Sequence, residues 1–469
     1  MNEIISSLSD FLWTYILIAF LILCGLYFSI RTRFVQFRLF GEMFRLLGDS
    51  ATNGRKGKEQ KHISSFQAFA VSLATRVGCG NLAGVATAIA IGGPGAVFWM
   101  WITALVGAAT SFVESTLAQL FKQPHEDSFI GGPAYYISKG LHSRTLSYIF
   151  AVLIILAFGI TQTSIQSNTI AGAMQEAFGI PTVWVGAALA IMALFIAFGG
   201  IQRIAFISSI LVPIMAFGYL ILALFIVVVN IKLLPGVLGI IVKDAFGLRQ
   251  AAGGLFGATI LMGVKRGLFS NEAGEGSVPN VAATANVTHP VKQGLVQSLG
   301  VLVDTIVVCS CTAFIILISG LYNTGLNGIA LTQNALESEI GSSGPVFIAV
   351  AIFLFAFSTI IGNYYYGEAN IRFMTKSKGA LTAFRVLSAG VSVFVGAILS
   401  LEVVWGIGDL FMALNTACNL FAIALLGKYA FRLLDDYTAQ KKRGVKEPSF
   451  SRKDCHEVLG ENLDLDAWE

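Results

Sequence analysis

The sequence predicts an all-α integral membrane protein of about eleven transmembrane helices. Three observations carry the prediction. Only 12% of its 469 residues are charged, about half the share of a soluble globular chain. The mean hydropathy is +0.74, and the apolar residues fall in blocks long enough for a bilayer core, which takes about 20 residues per helix. Two of the blocks are interrupted by glycine and charge, and they lie five spans apart. So little charge cannot cover a water-soluble chain of this length.

The expected spans lie near residues 11–30, 66–91, 95–121, 147–176, 181–199, 206–230, 254–286, 292–320, 345–374, 379–400 and 403–433. The stretch Met1 to Asp10 contains Glu3 and Asp10 but no Lys or Arg. It lacks the basic start of a secretory signal, so the first apolar run is expected to be a retained span. Arg33 to Leu47 alternates arginine with phenylalanine and aliphatic residues, the pattern of a helix lying in the membrane interface. With the N-terminus outside, the inner segments hold 24 of the 31 basic residues and the outer loops hold three: Lys232, Lys243 and Arg249. Lys and Arg concentrate on the cytoplasmic side of membrane proteins, so the expected orientation is N-terminus outside and C-terminus inside. Six cysteines and five histidines show no disulfide or metal-ligand spacing. The tail beyond about residue 435 is polar and mixed in charge, and reads as a cytoplasmic appendage without its own core.

The interruptions point to function. The first reads Ala74-Thr75-Arg76-Val77-Gly78-Cys79-Gly80-Asn81. Glycine destabilises a helix interior by about 1 kcal/mol relative to alanine, and a mid-membrane charge costs at least about 2.5 kcal/mol. A lipid-facing helix would not gather these residues; a helix unwound around a cavity would, because its freed carbonyls and amides find ligands there. The second interruption, Gly263 to Ser277, has four glycines and four charges: Lys265, Arg266, Glu272 and Glu275. An odd separation places the two broken helices in opposite orientations, the topology of two inverted five-helix repeats. The expected division is 1–64 (first span and interfacial helix), 65–230 and 231–434 (the repeats) and 435–469 (tail). Half-helix N-termini suit a substrate carboxylate, and unwound carbonyls are hard oxygen ligands for a cation.

Five motifs then carry a family resemblance: Ser65-Phe66-Gln67-Ala68-Phe69, Val77-Gly78-Cys79-Gly80-Asn81-Leu82-Ala83-Gly84, Gly92-Gly93-Pro94-Gly95, Gly131-Gly132-Pro133-Ala134-Tyr135-Tyr136 and Phe269-Ser270-Asn271-Glu272-Ala273-Gly274. Over nearly the whole chain to about residue 435, the sequence resembles the alanine/glycine:cation symporters, also called sodium:alanine symporters. The resemblance implies a leucine-transporter-type fold of 5+5 inverted repeats with one extra N-terminal span. It implies uptake of alanine, glycine or, for one member type, glutamine, driven by sodium or protons. Na+ is the expected coupling ion, with no cofactor and no nucleic-acid partner, and the expected location is the bacterial cytoplasmic (inner) membrane. By the same resemblance, the carbonyls of Ala74 and Val77 are implied sodium ligands, completed by Phe355, Ser358 and Thr359 of the ninth span. Thr75, Gly78, Gly80, Asn81, Gln166, Gly263, Phe269 and Thr359 are the implied substrate-binding set. Cys79 stands where a small hydroxyl residue is usual for the family, which leaves substrate preference open.

Blander readings stand beside these. Ser358 and Thr359 also fit hydroxyls bonded back to their own helix, Gln166 a glue between helices, and Asn81 a cap on the second half-helix. Arg76 is expected to pair with Glu272 or Glu275 as a gate, or to reach a watery vestibule. Glu114, Asp304 and Glu368 lie in apolar segments, and proton coupling would require one of them to titrate. Gly92 to Gly95 reads as a tight turn. Tyr364-Tyr365-Tyr366 reads as packing or belt residues near the inner end of the ninth span. A channel would carry rings of charge, and an enzyme a constellation of His, Asp or Ser; neither pattern is present.

Overall fold

The computed structural model describes residues 2–53, 63–125, 128–247, 253–461 and 463–468. Arg249 and the basic cluster Arg55, Lys56, Lys58 and Lys61, all used above to assign orientation, lie outside the described residues. The first span, α1 (Ser7–Arg31), turns sharply through Arg33 and Phe34, both at φ 53°. The surface helix α2 (Phe40–Asn53) follows. Next comes the bent pair α3 (Ser65–Arg76) and α4 (Gly80–Gly92), which meet at 45°. Then follow α5 (Ala96–Leu120), α6 (Arg144–Phe178), α7 (Thr182–Ala197) and α8 (Gly200–Val229). The second half contains α9 (Gly253–Asn271), α10 (Pro279–Ala282), α11 (Pro290–Ser319), α12 (Gly328–Ile340), α13 (Ser343–Met374), α14 (Lys378–Ile398) and α15 (Leu401–Lys442).

Among the described residues, eight helices are long and apolar enough to cross a bilayer, and the bent pair makes nine. The other two expected spans fall on α7 and α9. At 16 residues, α7 is about 24 Å long against a core of about 30 Å. The described helix α9 has 19 residues and carries Lys265 and Arg266. Apolar side chains cover the outside: Phe206, Ile214, Phe217 and Ile221 along α8 are each more than 60% exposed. Such a surface is stable only against lipid, so the chain is a multi-pass membrane protein.

Local chemistry sets the ends of the first broken span. Ser64 caps α3 by accepting from the Gln67 amide at 3.1 Å, and Gln67 accepts in return from the Ser64 amide at 3.0 Å, a reciprocal capping box. The far end stops at Val77, whose ψ of 82° leaves helical geometry. The expected turn at Gly92 to Gly95 is present. Gly93 has φ +78°, and a Cβ on Gly95 would lie 2.3 Å from the Ala245 nitrogen. The Gly95 amide donates to Asp244 at 2.8 Å, so the turn seats the short helix Leu234–Ala245.

The second interruption is shorter than the sequence suggests. Helix α9 continues unbroken through Gly263, Lys265, Arg266 and Phe269, and irregular backbone begins at Glu272, with positive φ at Glu272, Gly274 and Gly276. The glycines before it serve close packing: a Cβ at Gly263 would lie 2.5 Å from the Ala96 carbonyl oxygen, and one at Gly267 3.2 Å from the Met100 Cα, both on α5. The two cations share one carboxylate, Asp409 of α15, at 2.8 Å from each.

The tail packs against the bundle. Helix α15 runs on to Lys442, and the chain beyond folds back under the bundle with Leu459 and Leu465 buried. The Trp468 indole N–H donates to the carbonyls of Gln119 at 3.1 Å and Leu120 at 3.2 Å, closing the end of α5. The Phe450 amide donates to the Thr288 carbonyl at 2.9 Å. The tail thus has no core of its own because it borrows the bundle's.

Candidate cation and substrate site

The break after α3 faces the middle of α13. Thr359 donates to the Ala74 carbonyl at 2.8 Å, and Ser358 to the same oxygen at 3.4 Å. Both hydroxyls also donate to the Phe355 carbonyl, at 3.0 and 2.8 Å. Bonding back to their own helix and reaching across to α3 are therefore simultaneous. Four oxygens from two helices converge in a fully buried place. The fifth expected ligand, Val77, stands at the break, where its non-helical ψ turns its carbonyl away from the helix axis.

One residue further, the Gly78 amide reaches the Arg76 carbonyl at 2.9 Å, and the amides of the break also meet side chains. The Gly78 amide donates to Asn81 Oδ1 at 2.9 Å, and the Cys79 amide donates to Gln166 Oε1 at 2.9 Å. Gly78 sits between the two candidate centres: a Cβ there would lie 2.5 Å from Thr359 Oγ1 and 2.8 Å from Gln166 Oε1. Gly80 permits the approach of the second broken helix, since a Cβ would lie 3.0 Å from the Phe269 ring and 3.1 Å from the Ser270 Cα. Asn81 both caps Gly78 and donates to Asp304 Oδ1 at 2.7 Å, while Ser270 donates to Asp304 Oδ2 at 2.7 Å.

Gly78, Gly80, Asn81, Gln166, Phe269 and Thr359 thus come together. Thr75 points elsewhere: its hydroxyl donates to the Ser72 carbonyl at 2.8 Å and meets the Tyr366 hydroxyl at 2.7 Å. Tyr364, Tyr365 and Tyr366 are all buried packing residues. Gly263 lies against α5, as described above. Arg76 corrects its expected pairing. Among the described residues it forms no ion pair, and its guanidinium donates to neutral oxygens: the Asn271 carbonyl at 2.9 Å, the Gln297 carbonyl at 3.2 Å and Ser111 Oγ at 3.0 Å. The end of α9 at Asn271 presents its carbonyl to Arg76, whereas Glu272 turns to Ser277 at 2.6 Å.

A cavity of about 300 Å³ opens on the side away from the tail, bordered by Thr87, Thr169, Glu176, Asn327, Gln333 and Trp405. Trp405 separates it from the break by stacking on Phe269, with ring centroids 4.7 Å apart and planes at 27°. The Arg266 guanidinium covers Trp405 at 4.4 Å and binds Asp409 through two nitrogens, at 2.8 and 3.1 Å. Sequence reasoning passed over Trp405 and Asp409. A lone acid in an otherwise apolar final span was the available signal for the second.

A family model described as the sodium:alanine symporter family matches residues 1–452. The chain belongs to that family. It is 51% identical over 452 residues to the amino-acid carrier protein AlsT of Bacillus subtilis (strain 168), spanning 96% of this chain and 95% of that protein. It is 50% identical over 471 residues to the probable sodium/glutamine symporter GlnT of the same organism, spanning 100% of this chain and 96% of that one. The sodium/proton-dependent alanine carrier protein of Bacillus sp. (strain PS3) is 41% identical over 406 residues, spanning 83% and 91%. Membership makes the chain a symporter, not an enzyme.

Proposed function

We propose that the chain carries alanine, glycine or a similar small neutral amino acid inward with Na+, by alternating access around the break between α3 and α4. The observation that carries this reading is the convergence of Ser358, Thr359, Ala74 and Phe355 on one buried point. Two hydroxyls and two carbonyls are neutral hard oxygens, and with the Val77 carbonyl they make a five-oxygen site suited to Na+. Beside it, the amides of Gly78 and Cys79 open α4, where the positive end of a half-helix favours a substrate carboxylate. Gln166 and Asn81 occupy those amides here, and a bound amino acid takes their place.

The 5+5 repeat with an added first span, eleven crossings, an outside N-terminus and a place in the bacterial cytoplasmic membrane complete the proposal. The charge split between loops supports the orientation. On it, the 300 Å³ cavity beside Trp405 is the outer vestibule, and the docked tail closes the inner side. A glutamine-preferring transporter is the second reading, favoured by the likeness to a sodium/glutamine symporter along the whole chain.

The test is uptake into proteoliposomes. Labelled alanine should accumulate only with an inward sodium gradient, and a competition panel of alanine, glycine and glutamine ranks the substrates. Accumulation driven by a pH gradient with sodium absent overturns sodium coupling.

A further inference from the structure

The irregular segment after α9 is held at nearly every polar handle. The amides of Gly274 and Gly276 donate to Glu114 of α5 at 3.1 and 3.2 Å. Asn419 of α15 donates to the Gly274 carbonyl and to Glu114, each at 2.9 Å. Asn280 holds the carbonyls of Gly276 and Ser277, and Ser277 serves Glu272. Asn415 of α15 donates to the Glu275 carbonyl.

One group in this loop is left over. Glu275 is fully buried, and among the described residues neither of its carboxylate oxygens has a hydrogen-bond partner. On α15, Asn415 Oδ1, whose own amide group holds the Glu275 backbone carbonyl, and Thr416 Oγ1, next to it in sequence, are also buried without partners among the described residues. Among the described residues, the charged groups that act on Glu275 are Glu272 of its own loop, Glu114 of α5 and Asp409 of α15, all acids. The nearby Tyr136 hydroxyl donates to Asn419. The neighbouring cations are committed elsewhere: Lys265 and Arg266 to Asp409, and Arg76 to neutral oxygens. An isolated carboxylate in such a place is destabilised by several kcal/mol unless a positive charge meets it.

We infer that Glu275, with Asn415 Oδ1 and Thr416 Oγ1, is a second cation site, taking one monovalent cation, Na+ or a proton, apart from the site at Ala74 and Thr359. The four oxygens, two of them from the carboxylate, supply a ligand set for a dehydrated sodium ion. For a proton, they supply a carboxyl group and two acceptors for its O–H. The site joins the loop of one broken helix to α15, so its occupancy is tied to the packing of the two.

This inference rests on the cation-driven reading above, and the experiment separates the two. Uptake is measured in proteoliposomes across sodium concentration and pH for the unaltered chain, Glu275→Gln and Thr416→Val. If sodium binds there, Glu275→Gln raises the half-saturating sodium concentration by about tenfold, lowers the sodium:substrate ratio by one, and leaves the pH profile unchanged. If a proton binds, Glu275→Gln flattens the pH profile and leaves sodium saturation alone. Thr416→Val, a near-isosteric change, shifts whichever dependence Glu275→Gln abolishes, and it decides the matter if Glu275→Gln fails to fold. Unchanged sodium and pH dependence in the variants, with cation-driven uptake in the unaltered chain, overturns the second site. Absence of cation-driven uptake in the unaltered chain overturns both.

Discussion

The side-chain amide of Asn81 donates to the carboxylate of Asp304 at 2.7 Å, and through the other oxygen of that carboxylate Asp304 also holds Ser270 at 2.7 Å. One buried acid of α11 thereby ties the first broken helix to the second. Asp304→Ala leaves both donors with only the weakly accepting Cys309 sulfur, at 3.3 and 3.1 Å, at up to about 1–3 kcal/mol for each poorly satisfied group. The expected outcome is a lowered thermal unfolding midpoint in detergent together with loss of amino-acid uptake. Thermal stability equal to that of the unaltered chain would remove this tie from the account.

Thr359 touches two carbonyls, Ala74 at 2.8 Å and Phe355 at 3.0 Å. If these oxygens surround Na+, Thr359→Ala deletes one ligand of about five. A loss of about 1 kcal/mol corresponds to a roughly fivefold rise in half-saturating sodium. Ser358→Ala, whose longer contact to Ala74 is 3.4 Å, is expected to have the smaller effect. Sodium titration of uptake measures both.

Gly78 allows the cation and substrate centres to lie side by side. Gly78→Ala drives a methyl group towards Thr359 Oγ1 and Gln166 Oε1, so uptake falls to background while the protein still folds. Gly41 on α2 has open space at its Cβ, and Gly41→Ala is the matched control, with uptake unchanged. Gln166→Ala releases the Cys79 amide and is expected to raise the half-saturating amino-acid concentration more than the sodium concentration.

Asp409 pairs with both Lys265 and Arg266, at 2.8 Å each. Asp409→Asn leaves two buried cations uncompensated, a cost of about 3–5 kcal/mol. It also frees Arg266 from its place over Trp405. The thermal midpoint should fall more than for any substitution on the lipid-facing side of α8, such as Ile214→Val.

Beneath Trp468, burial pushes the Lys122 ammonium from 10.5 down to about 7. The ammonium donates to the Ala285 carbonyl at 2.9 Å and lies 4.0 Å from the Phe129 ring. In the unfolded chain a lysine keeps its proton to about pH 10.4. Between about pH 7 and 10 the unfolded chain therefore holds a proton that the folded chain has shed, and stability rises with pH across that window. Lys122→Met should flatten the slope of thermal midpoint against pH. A slope equal to that of the unaltered chain would place Lys122 outside the pH dependence.

The membrane class, the first break at Gly78 to Asn81 and the family were legible in the residues themselves, because hydropathy, glycine and motif are local properties. The residues around Thr359 and Gln166 were reachable only through resemblance, since nothing in a lone Ser-Thr pair says which helix it faces. Three matters were decided by tertiary structure alone. Lys265 and Arg266 resemble part of a break in one dimension, yet they lie in an intact helix, where Asp409, more than a hundred residues away in sequence, pairs with both. Arg76 bonds carbonyls instead of a glutamate because the end of α9 at Asn271 presents its carbonyl there. The polar tail folds because Leu459, Leu465 and Trp468 are buried against the bundle, with Trp468 on α5 and Phe450 on the segment before α11. In each case the deciding partner is distant in sequence, and a charge or an exposed carbonyl has no local signature of the group that will meet it.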